Sequence, residues 1–230
     1  MQRPRAPLFA FAEPSRAMLG TIAARMASEW RSGPIHRLSL ARPRPSGLAA
    51  KPRDFRPPDA VAGGRLLSGV FTFAGETLDA GRGGDPWVAA APSRRFAVAL
   101  HGFDWAGDLL GEGEAGAREF LRLWIAWRRQ FGAYNAFAWT GAPLERRVFH
   151  LACAAAAILP LASDAEGAGL LDGLARQARH LAGDPNGPDR AAERAASVAL
   201  AGAALAGTAG ERLLTQALPR LERRLAEVVL

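Results

Sequence analysis

Six residues between positions 101 and 150 have side chains that could bind an acidic substrate or transfer a proton. They are His101, Tyr134, Asn135, Trp139, Arg147 and His150. A histidine can exchange a proton near neutral pH, and a guanidinium can hold a carboxylate with two hydrogen bonds. The sequence predicts that these residues line a substrate-binding groove. For Arg147, a buried structural ion pair with Glu145 or Asp104 is an equally open interpretation.

The sequence motifs of the common enzyme classes are absent. The chain has no glycine-rich phosphate loop, no His-Glu-x-x-His motif and no Gly-x-Ser-x-Gly motif. Its single cysteine, Cys153, lies in an apolar helical segment and has no partner for a disulfide or a thiolate metal site. We therefore expect neither a metal ion nor a cofactor, and composition alone assigns no catalytic residue.

The positive charge is concentrated in the first quarter of the chain. The protein has 230 residues and a formal net charge of +7. Residues 1–56 carry eleven Lys or Arg and three Asp or Glu, a net charge of +8. No apolar run approaches the roughly 20 residues that cross a bilayer, and the first apolar run, residues 8–12, is shorter than that of a signal peptide. The sequence therefore predicts no transmembrane segment and shows no clear signal peptide. The compartment stays open, with the cytoplasm expected for the chain as given.

Composition divides the chain into three parts. Residues 1–60 form a basic leader, with a predicted helix over residues 13–32 followed by a segment rich in Pro and Arg. That segment is interpreted as a strap lying over the domain or, alternatively, as an arm that binds nucleic acid or membrane. Residues 61–92 contain a predicted strand and turn region, with two short strands around Ala74 and Gly75.

Residues 93–230 are predicted to form successive helices. Ser93 can cap a helix reaching about residue 110, and residues 114–131 carry an aromatic stripe that is typical of helix packing. Further helices are predicted from Pro143 to about residue 158, from the capping box that starts at Ser163, and from Asp189 to about residue 206. A last helix should kink or restart at Pro219. The fold class is therefore mainly α, built from antiparallel helical hairpins that could form a bundle, a solenoid or part of an (α/α) toroid, with a short β element near residues 65–79.

Three segments, taken in order, resemble the N-terminal domain of the heparinase II/III-like proteins. Residues 95–105, with the core Leu100-His101-Gly102-Phe103-Asp104-Trp105, resemble a Leu-His-Tyr-Phe-Asp-Tyr segment of that family. Residues 124–151 are similar to its Trp, Pro, Arg-Ile-x-Asn-Trp pattern, and residues 69–75 are similar to its Gly-x-Phe-x-Phe-Leu strand. The spacing of all three agrees over residues 65–151.

The resemblance implies an incomplete (α/α) toroid, followed in full-length family members by a C-terminal β-sandwich domain. It also implies a bacterial, periplasmic polysaccharide lyase that acts by β-elimination on uronic-acid-containing polymers such as glycosaminoglycans or alginate. The family's catalytic Asn-His pair has no counterpart near Glu193 and Arg194. The chain is therefore expected to bind an acidic polysaccharide and to be incomplete as a catalyst alone, so that its status as an enzyme is uncertain.

Two other functions fit the same residues. The first is a non-catalytic carbohydrate-binding or cell-envelope scaffold that uses the helical surface. The second is nucleic-acid binding through the basic leader, which would make the affinity strongly dependent on salt. We do not expect nucleic acid to be the main partner.

Overall fold

The computed structural model describes residues 30, 31, 33–183 and 190–229. The predicted leader helix over residues 13–32 lies outside the described residues, apart from Trp30 and Arg31, which are helical. Asp189, where the helix to about residue 206 was predicted to begin, also lies outside them, as do residues 184–188.

Within the described residues 33–79, two short helices and one hairpin precede the main helical region. Helix α1 spans Pro34–Leu40 and α2 spans Ala60–Leu67. Strands β1, Val70–Phe73, and β2, Glu76–Asp79, pair antiparallel, and the turn residues Ala74 and Gly75 both have positive φ. Positive φ at both central residues is the geometry that lets a two-residue turn follow the twist of its strands. The predicted β element is therefore confirmed.

Seven further helices lie within the described residues 93–183 and 190–229, and they make the fold mainly α, as predicted. They are α3 Arg94–Gly102, α4 Ala106–Leu110, α5 Gly113–Phe131, α6 Gly141–Ile158, α7 Asp164–Ala182, α8 Ala191–Ala204 and α9 Thr208–Val229. A 3₁₀ turn, Leu159–Leu161, follows α6. Capping hydrogen bonds confirm two of the predicted helix starts. The Ser93 hydroxyl accepts from the Phe96 amide, and Ser163 forms a capping box with Glu166.

The structure corrects three details of the sequence-based prediction. The helix expected from Ser93 to about residue 110 is broken at Phe103, whose left-handed φ of 60° ends α3 before α4 begins. Of the kink or restart predicted at Pro219, the restart does not occur, because α9 continues through this residue. Pro34 begins helix α1, since proline fits a first turn, within the Pro- and Arg-rich segment for which no helix was predicted.

Helix α6 lies at the centre of the described fold, in contact with α3, α4, α5, α7 and α8. It is rich in alanine and several of its residues are fully buried, which lets neighbouring helices approach closely. The aromatic stripe of α5 faces the core, where Phe120, Trp124 and Trp127 are at most 1% exposed. Large aromatic side chains thus fill the space between α3, α4 and α5, while small side chains fill the interface of α6 with α7 and α8.

Part of the Pro- and Arg-rich segment lies across the end of the helical region. The Ala49 amide donates to the carbonyl of Ala204 at 2.8 Å, and the Ala206 amide donates to the carbonyl of Gly47 at 2.9 Å. Arg179 of α7 donates to the carbonyl oxygens of Leu40 and Pro43. Backbone pairing and one arginine therefore hold this segment on α7 and on the connection between α8 and α9.

Candidate functional site

The six predicted site residues do not line one groove. His101, Trp139 and Arg147 lie in or beside a buried aromatic centre, and Tyr134 and Asn135 belong to the loop that covers its end. His150 lies on a different side of α6, at the wall of an open charged cleft. The first site, around Arg147, is buried, whereas the second, beside His150, is an open cleft lined by charged side chains.

Arg147 is the centre of the buried part. Its side chain is fully buried, and its guanidinium lies 4.2 Å from the centroid of the Trp127 ring. Nε donates to Oε1 of Gln177 at 2.5 Å, Nη1 to the carbonyl of His101 at 2.8 Å, and Nη2 to the carbonyl of Ala138 at 2.7 Å. Burial lowers the pKa of Arg147 to about 9, so the group keeps its charge at neutral pH.

Neither ion pair considered for Arg147 is formed. Glu145 is held by Arg190 and Arg194, and Asp104 is held by Arg146. Arg147 instead satisfies its donors with backbone carbonyls and one amide, as buried polar groups must. Its contacts join α3, α6, α7 and the loop before α6, which gives this arginine a packing and tethering role.

His101 is a largely buried acceptor at the end of α3. Its Nδ1 lies 3.2 Å from the indole Nε1 of Trp127, and its ring meets Phe131 edge-on at a centroid distance of 4.7 Å. Burial, with a smaller contribution from the positive charge of Arg147, lowers the pKa of His101 to about 4. The imidazole is therefore neutral at pH 7 and its Nδ1 accepts the indole hydrogen.

Trp139, Tyr134 and Asn135 organise the loop between α5 and α6. The Trp139 side chain is 2% exposed and donates from Nε1 to the carbonyl of Phe131 at 2.7 Å. Tyr134 and Trp139 both lie against the ring of His180. Asn135 accepts from the amides of residues 137 and 138 through Oδ1, an arrangement typical of a local turn.

His150 lies between two carboxylates in the charged cleft. Its Nδ1 is 3.6 Å from Oδ2 of Asp54, and its Nε2 is 3.7 Å from Oδ1 of Asp104. These distances exceed those of charge-assisted hydrogen bonds. Burial and the positive charges of Arg56 and Arg146 outweigh the attraction of Asp54 and lower the pKa of His150 to about 4. Asp54 and Asp104 are therefore in contact with a neutral His150 ring.

Most other charged side chains in and beside the cleft have hydrogen-bond or ion-pair partners. Arg146 donates to Oδ2 of Asp104 at 2.6 Å, and Arg56 donates to the backbone carbonyl of the same residue at 2.8 Å. Burial raises the pKa of Asp104 against the opposing effect of Arg146, and its Oδ1 has no hydrogen-bond partner among the described residues. On the opposite wall, Arg190 donates to the buried Glu145 at 2.6 Å. The cleft has a volume of about 390 Å³, and five of the charged residues that line it already have partners: Asp54, Arg56, Glu145, Arg146 and Arg190.

Sequence reasoning missed several residues of these two places. Asp54 and Arg56 lie in the Pro- and Arg-rich segment, about 50 or more positions from the groups they contact, and Gln177 lies on α7. No local spacing signals such contacts. The prolines around Asp54 predict an extended backbone, which could reach across the domain. They do not indicate which residues that backbone would contact.

The described residues contain no helix long and apolar enough to cross a membrane. Nor do they contain a group of three or more His, Cys, Asp or Glu side chains arranged to hold a metal ion. Burial also raises the pKa of Cys153 to about 12, so this thiol stays protonated at neutral pH.

A relative of this chain matches it over almost its whole length. FtsZ-localized protein C of Caulobacter vibrioides (strain NA1000 / CB15N) is 49% identical over 215 residues, which are 94% of this chain and 37% of the relative. The chain thus spans little more than a third of the length of that relative. No family model matches the chain, and no solved structure matches it.

This finding overturns the resemblance to the heparinase II/III-like proteins. A match of 49% identity across 94% of the chain outweighs three short motifs, and no family model supports the lyase assignment. The motif residues have packing roles here: Phe71 and Phe103 are at most 1% exposed, and Arg147 satisfies backbone carbonyls. The assignments to a polysaccharide lyase, to glycosaminoglycan or alginate chemistry and to an acidic polysaccharide partner are therefore wrong. A substrate-binding role for the six residues stays a prediction that the comparisons do not test.

Proposed function

We propose that this chain is a non-catalytic scaffold module of a bacterial cell-division protein that associates with FtsZ. The observation that carries the proposal is the 49% identity with FtsZ-localized protein C over 94% of the chain. At this identity two chains are expected to share their fold, so a binding surface within the matched part of the relative is expected in this chain as well. Of the functions considered from sequence, the scaffold is the one that this relative supports.

The side chains of the buried centre around Arg147 and of the charged cleft beside His150 also support a scaffold role. A general acid or base acts through a group that can reach a substrate and titrate near the working pH. His101 and His150 are held neutral by burial, Arg147 is fully buried, and Glu145 is held by arginines. These groups stabilise the described fold and leave its outer surface for partners.

The arrangement of the helices as part of an incomplete (α/α) toroid belongs to the same proposal. The contacts of α6 with α3, α7 and α8 support it, because the central helix has neighbours on several sides. In this view the hairpins form a rigid platform, and the two thirds of the relative that lie outside the match carry the other activities of such a protein.

The proposal is tested by localisation in cells. The chain is fused to a fluorescent protein and expressed in Caulobacter vibrioides together with FtsZ carrying a second fluorophore. We expect the fusion to follow FtsZ to the division site and to disperse when FtsZ is depleted. The fluorescent protein alone is the matched control. A fusion that is stable and full-length but evenly distributed in cells with assembled FtsZ contradicts the proposal.

A further inference from the structure

A groove with an apolar floor lies between the end of α7, α8 and α9. It has a volume of about 240 Å³. Leu181, Ala195, Val198 and Ala217 form its floor, and each of these side chains is at most 7% exposed. A floor made of small and medium apolar side chains between two helices has the shape that accepts the apolar face of a third helix.

The rim of this groove is positively charged. Of the described residues that line it, four are arginines and none is acidic: Arg194, Arg220, Arg223 and Arg224. Arg194 pairs with Glu145, Arg220 donates to the carbonyl of Ala182, and Arg224 pairs with Glu227. Arg223 forms no hydrogen bond or ion pair with any described residue. The rim therefore presents more positive charge than its neighbours neutralise.

We propose that this groove binds an acidic amphipathic helix of a partner protein. The apolar face of such a helix, with side chains at i, i+3, i+4 and i+7, would lie on the floor, while its carboxylates reach the arginines of the rim. Guanidinium groups suit this role because they bind carboxylates with two parallel hydrogen bonds. The inference rests on the shape and charge of the groove and does not depend on an association with FtsZ.

Charge also argues against two other occupants. The leader, residues 1–56, has a net charge of +8, so its approach to a rim of arginines would be repelled. A second copy that docked through the same groove would bring two arginine rims together. An acidic partner helix is the occupant for which both the floor and the rim are complementary.

The test uses two labelled model peptides and the 230-residue chain. Each peptide is capped at both ends and carries leucines at i, i+3, i+4 and i+7; one has glutamates at its other positions and the second has lysines there. In fluorescence anisotropy at 0.1 M salt, we expect saturable binding of the glutamate peptide that is at least about tenfold tighter than binding of the lysine peptide. The affinity should fall at 1 M salt, where the screening length drops from about 10 Å to about 3 Å.

Two variants of equal net charge locate the site. Arg220→Glu with Arg223→Glu should weaken the glutamate peptide at least about tenfold, whereas Arg82→Glu with Arg94→Glu, at exposed positions outside the groove, should change its affinity less than about twofold. Arg223→Lys keeps the charge and should retain most of the affinity. Circular dichroism checks that each variant is folded.

Three results would overturn the inference. They are the absence of saturable glutamate-peptide binding by the folded chain, equal affinity for the glutamate and lysine peptides, and equal loss in the two double variants. Sedimentation that shows a dimer dissociated by Arg220→Glu with Arg223→Glu would overturn it as well, because the groove would then be occupied by a second copy. None of these results bears on localisation with FtsZ, so the two proposals fail separately.

Discussion

Nη1 of Arg147 lies 2.8 Å from the carbonyl oxygen of His101, 46 residues away in the chain. This hydrogen bond joins the middle of α6 to the end of α3, where the left-handed Phe103 turns the chain towards α4. Because a carbonyl at the end of a helix has no partner within the helix, the arginine satisfies an acceptor that would otherwise be buried alone. Arg147 and His101, which suggested a substrate-binding site from the sequence, thus form a structural contact between two helices.

Replacement of Arg147 with Met should destabilise the protein strongly. The carbonyls of His101 and Ala138 and the amide oxygen of Gln177 would lose their donors inside the core. We expect a loss of about 3 kcal/mol or more in the free energy of unfolding, measured by urea denaturation. Arg118→Met, which removes an exposed i,i+4 pair with Glu114, is the control and should cost less than about 0.5 kcal/mol. Equal losses in both variants would contradict the tethering role.

Stability should fall as the pH is lowered from about 6.5 towards 4. Burial lowers the pKa of His101 and of His150 from 6.5 to about 4, so in this window the unfolded chain binds protons that the folded chain does not. Unfolding is then favoured, by at most about 3 kcal/mol for each ring. The raised pKa of Asp104 acts in the opposite direction at the acid end of the window.

The pH dependence is checked by urea unfolding at pH 7.5 and pH 5.0 for the natural chain and for His150→Gln. The variant has one titrating ring fewer, so its loss of stability between the two pH values should be smaller. A natural chain that is more stable at pH 5.0 than at pH 7.5 would show that the two rings are protonated in the fold.

Two glycine-to-alanine replacements should have opposite effects. A Cβ on Gly116 of α5 would overlap the carbonyl oxygen of Leu109, whereas a Cβ on Gly64 of α2 would meet no atom within 4 Å. Gly116→Ala should lower the melting temperature through a loss of about 1–3 kcal/mol. Gly64→Ala should raise it through a gain of about 0.4–1 kcal/mol, because alanine has less freedom in the unfolded chain. An unchanged melting temperature for Gly116→Ala would disprove the close approach of α4 and α5.

Arg179→Met should loosen the Pro- and Arg-rich segment while the helical core stays folded. Arg179 donates to the carbonyls of Leu40 and Pro43, next to the backbone pairing of Ala49 with Ala204. Hydrogen exchange of the Ala49 amide should become at least about tenfold faster, which corresponds to about 1.4 kcal/mol of local stability. Arg129→Met, at an exposed position of α5, is the control. If Ala49 exchanges at the same rate in both variants, the arginine does not hold the segment.

The local elements could be predicted from sequence because their causes are local. The Ser93 cap, the capping box of Ser163 and Glu166, and the turn at Ala74 and Gly75 depend on residues within four positions of each other. The long-range contacts could not be predicted this way. The approach of Asp54 to His150, across 96 positions, depends on where the extended segment crosses the fold, and no periodicity encodes that path.

The family resemblance failed for a related reason. The spacing of aromatics and arginines that suggested a lyase also serves the packing of antiparallel helices, so the same pattern has two physical origins. Arg147 shows the ambiguity most clearly, since its guanidinium could hold a substrate carboxylate but satisfies the carbonyls of His101 and Ala138 instead.

A binding measurement with purified FtsZ tests the central claim most directly. The chain, labelled with a fluorophore, is titrated with FtsZ from Caulobacter vibrioides and followed by sedimentation velocity. An unrelated helical protein of similar size and charge serves as the control. We predict that the chain, but not the control, moves with FtsZ in a saturable manner. A folded chain that sediments alone at every FtsZ concentration would contradict the account.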